Sequence, residues 1–172
     1  MRSVKILMVM LFAMAIAMSS KAQERSIQEI HSMMVYNFMK YVNWPPTSTS
    51  GNFVIGVLAE SKVHETLNKW YGKKSKGAQK IEIKSFASIA EITGCHVLYV
   101  GKVKGADIET LLAQMSGKST LIITNKPGMA KKGSGINFKT INGKLKFELN
   151  QAAIATANLK VSSQLSGMAI LI

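Results

Sequence analysis

The side chains of this 172-residue chain best suited to chemistry are three histidines, one cysteine and nine carboxylates. Their spacing argues against most reactions. HExxH, or CxxC followed by HxxxH, would gather metal ligands on one helix face or in one knuckle, and His31, His64 and His96 make no such pattern. His96 follows Cys95 directly, but neighbours on a strand point to opposite faces, so the two do not share a ligand set. A catalytic carboxylate pair is not suggested either. Asp107 is the single aspartate, and the glutamates stand mostly at helix starts or between lysines. No serine sits in a GxSxG elbow. The expectation is a non-enzymatic protein with no catalytic residue, no metal and no cofactor.

Two further groups could bind rather than react. Lys126 to Gly135, KPGMAKKGSG, is rich in glycine and lysine, but a phosphate loop would read GxxxxGK[ST] and open a helix. Here the lysine after the second glycine is missing, and the better account is a glycine-permitted turn. Lys73, Lys74, Lys76, Lys131 and Lys132 are candidate contacts for an anionic ligand or envelope polymer; a solvated lysine coat explains them equally well. Tyr36, Lys40, Tyr41 and Trp44 set aromatics beside an apolar helical stripe and are candidate contacts for a protein partner. The bland alternative is that Tyr41 and Trp44 merely cover the sheet.

Cys95 is the only cysteine, so no internal disulfide forms. It opens the apolar run CHVLYV and reads as a buried free thiol.

Compartment narrows the partners. Arg2 and Lys5, an apolar block from Ile6 to Met18, and Ser20 and Ala22 have the layout of a secretory signal cut after Ala22. Thirteen apolar residues fall short of the about 20 that span a bilayer; a retained anchor is the alternative. Domain organisation is then a signal peptide over 1–22 and one α/β domain over 23–172. Losing Arg2, Lys5 and Lys21 leaves 19 basic against 9 acidic residues, net +10. Such a charge favours anionic surfaces or acidic partners. Export and sparse, mostly core-facing aromatics exclude nucleic acid.

The elements that must position these side chains follow from periodicity. Ile27, Ile30, Met34, Phe38 and Val42, widened by Val35 and Tyr41, make one helical face; Ser26 with Glu29 is a capping box, and Trp44-Pro45-Pro46 ends the helix. Phe53 to Leu58 is a strand buried on both faces. A helix over Ser61 to Tyr71 turns Val63, Leu67 and Trp70 inward, and YGKKSKGAQK is a basic loop. Ile81 to Phe86 is a half-exposed strand, followed by a helical turn near Ile89. Val97 to Val100 and Thr120 to Thr124 are buried strands flanking a helix over Ala106 to Met115. Alternating strands and helices predict a three-layer α/β domain with a largely parallel sheet.

Asn142-Gly143 then predicts a two-residue type I′ hairpin. Ile141 falls opposite Lys144, Phe138 opposite Phe147 and Ile136 opposite Leu149. One hairpin face is core, the other wet, and the hairpin is the antiparallel end of the sheet. Asn150 caps a short helix, and SSQLSGMAILI supplies a second helical segment or an apolar tail.

These residues also resemble a family. MMVYNFMKYVNWP from Met33, GCHVLYVG from Gly94, LIITNKPGMAKKGSGINFKTINGKLKFELN from Leu121 and ATANLKVSSQLSGMA from Ala155 are similar, in order and spacing, to segments of the YfiR family of periplasmic proteins. The resemblance implies an exported regulator that acts without an active site. Better-known relatives hold a membrane-bound diguanylate cyclase inactive by binding its periplasmic part. An inner-membrane signalling protein is the partner this implies, with a homodimer and an anionic envelope surface left open. Redox control through a family disulfide does not carry over to a chain with Cys95 alone.

Overall fold

The computed structural model describes residues 25–172, so the expected leader lies outside the described residues. In chain order the elements are α1 (Ile27–Tyr41), β1 (Val42–Asn43), β2 (Phe53–Leu58), α2 (Ser61–Tyr71), β3 (Ser75–Lys76), β4 (Gln79–Phe86), β5 (Val97–Val100), α3 (Gly105–Met115), β6 (Leu121–Thr124), β7 (Ile136–Ile141), β8 (Lys144–Leu149), α4 (Gln151–Thr156), β9 (Lys160–Val161), α5 (Ser163–Met168) and β10 (Ile170–Leu171).

The main sheet runs β10-β8-β7-β6-β5-β2-β4-β3. Strands β4, β2, β5, β6 and β7 are mutually parallel, and the central three, β2, β5 and β6, are the apolar runs covered on both faces. Every residue of β2, β5 and β6 is buried. On one face, Val35, Phe38 and Met39 of α1 and Val63 and Leu67 of α2 pack with Ile154 and Leu165 onto the sheet. On the other, Ile108, Leu111, Leu112 and Met115 of α3 close over Leu98 and Ile122. Each such side chain contributes about 1.5–3 kcal/mol relative to exposure. The α/β class, the largely parallel sheet and the helices on both faces are those expected.

The hairpin register is also as expected: Phe138 pairs with Phe147, Ile136 with Leu149 and Ile141 with Lys144. Asn142 and Gly143 have φ of 50° and 71°, the left-handed values the turn requires. Both phenylalanines are buried and clasp Phe38, with ring centroids 5.9 and 5.0 Å away.

Five local expectations need correction. The hairpin does not end the sheet, because β10 adds outside β8 in parallel. Its second face is wet only near the turn. At the base, β6 pairs with Asn137 and the loop carrying buried Met129 and Ala130 is tied to Asn150, so Asn137 and Glu148 are buried. The buried face of α1 is rotated towards His31, Ser32 and Val35, leaving Ile27 45% exposed. Trp70 is only half-buried and lies edge-on to Tyr71, outside the core. The basic loop after α2 contains β3, which folds back on β4 around Gly77.

Candidate docking face

Helix α1 begins at a closed capping box: the Glu29 amide donates to the Ser26 hydroxyl, and the Ser26 amide to the Glu29 carboxylate. It ends where Val42 pairs with Val161 and Pro45 forbids another turn. Burying Val35, Phe38 and Met39 fixes the helix rotation and turns Tyr36 and Lys40 outward, beside α2.

There Tyr36 stacks on Tyr71, with ring centroids 3.9 Å apart and planes within 2°. The Lys40 ammonium lies 5.0 Å from the Tyr36 ring centre, and that of Lys74 is 5.3 Å from each of the two rings. Trp70 meets Tyr71 edge-on. Each cation over a ring at such a half-exposed site contributes about 0.5–1 kcal/mol. Burial, and secondarily the neighbouring Tyr36, raise the Tyr71 phenol above its ordinary value.

A second aromatic–lysine pair forms around Trp44. The Lys76 ammonium is 5.1 Å from the Trp44 ring and 5.5 Å from that of Phe53, and partial burial lowers its pKa. Trp44 is held by its own polar end, its indole N–H donating to the His96 carbonyl at 3.1 Å. His96 works here as a structural knot. Its Nδ1 accepts from the Val54 amide at 3.0 Å while Nε2 donates to the Ser48 carbonyl at 2.9 Å. This binds the loop before β2 to the start of β5, while Cys95 joins the core of the opposite face.

The residues singled out from sequence are thus partly regrouped. Tyr36 and Lys40 meet Lys74, and Trp44 meets Lys76, so the protein-contact and anion-contact sets merge at α1, α2 and β3. Tyr41 is half-buried against the core. Lys73 is exposed. Lys132 pairs with Glu109 of α3, and Lys131 acts on the Glu148 carboxylate, so neither joins this cluster. Sequence reasoning missed Tyr71, whose place at the end of the predicted helix was visible but whose partner in α1 was not.

Among the described residues no three His, Cys, Asp or Glu side chains gather as a metal site would require. The cluster offers cations, π-faces and tyrosine hydroxyls. It can hold carboxylates and apolar groups of a partner, with no group placed to activate a nucleophile.

Comparison with known proteins adds one result. Nothing among curated proteins matches the chain. The model of the family described as YfiR/HmsC-like (DUF4154) matches residues 28–170, from the first turn of α1 to the start of β10. The chain belongs to the YfiR/HmsC-like family.

Proposed function

We propose that this protein is an exported, non-enzymatic regulator that restrains an inner-membrane signalling protein, a diguanylate cyclase, by binding its periplasmic part. Family membership across residues 28–170 carries this reading. No helix among the described residues is long and apolar enough to cross a membrane, in keeping with a partner that supplies the membrane span. The contact face is Tyr36, Tyr71, Lys40 and Lys74, with Trp44 and Lys76 beside it. Stacked tyrosines flanked by cations suit a partner surface that mixes apolar and acidic groups.

The test is genetic and biochemical together. Deleting the gene raises cellular cyclic di-GMP, and the wild-type protein restores it. Exported Tyr36→Ser/Lys40→Glu does not, although it accumulates to the same level. An unchanged cyclic di-GMP level on deletion rules out the cyclase role; full restoration by the double variant rules out the face.

A second reading, docking on an anionic envelope surface, is favoured by the two lysine–aromatic pairs, since aromatic rings with lysines suit a membrane interface. Binding to anionic vesicles that disappears at high salt supports it; no binding at low salt ends it.

A further inference from the structure

A crevice of about 510 Å³ lies on the other side of α1's first turn, lined by Ile27, His31, Asn125, Pro127, Phe138 and Thr140 among others. It exists because the strands differ in length. β6 stops at Thr124, opposite Asn137, while β7 runs on to Ile141. From Phe138 to the turn, β7 therefore has a neighbour on one side only. The two-residue turn makes Ile141–Lys144 a hydrogen-bonded pair, and pairs alternate, so Lys139 turns its backbone groups to β8 while Thr140 turns its N–H and C=O away. The pairing of β6 with β7 ends at Asn137, so no strand among the described residues lies opposite those groups.

An aromatic side chain forms one wall of the crevice. His31 is 5% exposed and stacks on Phe138 at 4.1 Å. Its Nδ1 lies 2.8 Å from the Tyr99 hydroxyl, whose oxygen also accepts from the Asn125 amide. The Tyr99 hydroxyl therefore joins Asn125 to the imidazole and holds the ring against Phe138. No fully buried side-chain nitrogen or oxygen among the described residues lacks a partner. Nε2, for which no partner is found among the described residues, is accordingly not fully buried. On the opposite face of the hairpin the charge is basic: Lys139, Lys144 and Lys146 lie together, Lys131 acts there too, and Glu148, paired with Lys139, is the one carboxylate among them.

We infer that the free edge of β7 at Phe138–Thr140 receives an extended acidic peptide segment of a partner protein, added as a strand in the space that β6 leaves. Backbone pairing to Thr140 gives the segment its register. Apolar side chains enter beside Ile27, Phe138 and Leu145. Its carboxylates, on the opposite face of the added strand, meet the lysines. This surface is separate from the tyrosine–lysine face, so its test does not depend on the regulatory reading.

The probe is a fluorescein-labelled peptide of about eight residues alternating glutamate with valine or threonine, about the length of a strand, compared with its lysine-for-glutamate counterpart by anisotropy. Thr140→Pro removes the outward N–H along with the threonine side chain and leaves the pairing to β8 intact, and Thr140→Val, which keeps the N–H, is the control for the side chain. The expected result is binding of the acidic peptide and not the basic one, weakened about tenfold or more by Thr140→Pro, as loss of a backbone hydrogen bond predicts. Equal binding of both peptides, or undiminished binding by a folded Thr140→Pro, overturns the proposal. Should that variant not fold, hydrogen exchange in the wild type decides: the acidic peptide slows exchange of the Thr140 amide, and an unchanged rate refutes the added strand.

Discussion

A histidine in the core-facing stripe of α1 is tolerated because Tyr99 meets its Nδ1 inside while Nε2 is not fully buried. The cost appears when it must be charged: burial lowers the His31 pKa from 6.5 to about 4. The unfolded chain therefore takes up a proton that the folded one refuses. Stability from this residue is complete above the unfolded value and falls as pH drops towards 4, by about 3 kcal/mol in total. Glu148 titrates lower. Burial opposes its charge, but hydrogen bonds from Lys139 and Asn137 outweigh that and hold its pKa below the ordinary 4.5, so its contribution is lost only as pH falls past that range. Urea unfolding at about pH 7 and about pH 5 should show a clear loss in the wild type and a much flatter response in His31→Phe. Cys95 gives a second expectation at this scale. Burial pushes its thiol up to about 12, so a thiol reagent should leave the native protein nearly untouched at neutral pH and react at once in denaturant.

At the scale of the element, the β7–β8 hairpin shows how far local rules reach. Alternation and the Asn-Gly turn predict the same register, and that register is the one formed. Gly143→Ala, at φ 71°, should cost about 1 kcal/mol in urea stability, while Asn142→Gly changes it little. What the local pattern misses is the neighbour. Asn137 and Glu148 read as solvent-facing because each alternates with a core residue. The end of β6 and the folded-back glycine loop bury them instead, and Thr124, Asn137, Glu148 and Lys139 become one hydrogen-bonded chain. Helix α1 carries the same lesson. Its length and cap were legible, but its rotation was decided by the burial of Val35, Phe38 and Met39 and by the hydrogen bond between His31 and Tyr99, 68 residues apart.

Across the whole molecule, the basic charge is distributed rather than focused, with separate lysine groups beside the tyrosine stack, beside Trp44 and on the hairpin. Charge reversal at Lys40 and Lys74 should therefore lower the melting temperature by only a few degrees, since each cation over a ring contributes about 0.5–1 kcal/mol. Docking to the proposed membrane partner should weaken and lose its salt dependence; a loss of docking no larger than the loss of stability would make the cluster structural.

Sequence by itself determined the class of fold, the buried strands, the hairpin register, the cap of α1 and the family, because each is written in contacts between near neighbours or in an ordered series of motifs. Only the tertiary structure decided that Tyr36 meets Tyr71, that His96 ties a loop to two strands, and that β6 stops short of β7. Those arrangements depend on where whole elements come to rest against one another. Packing between distant segments sets that position, and no local periodicity encodes it.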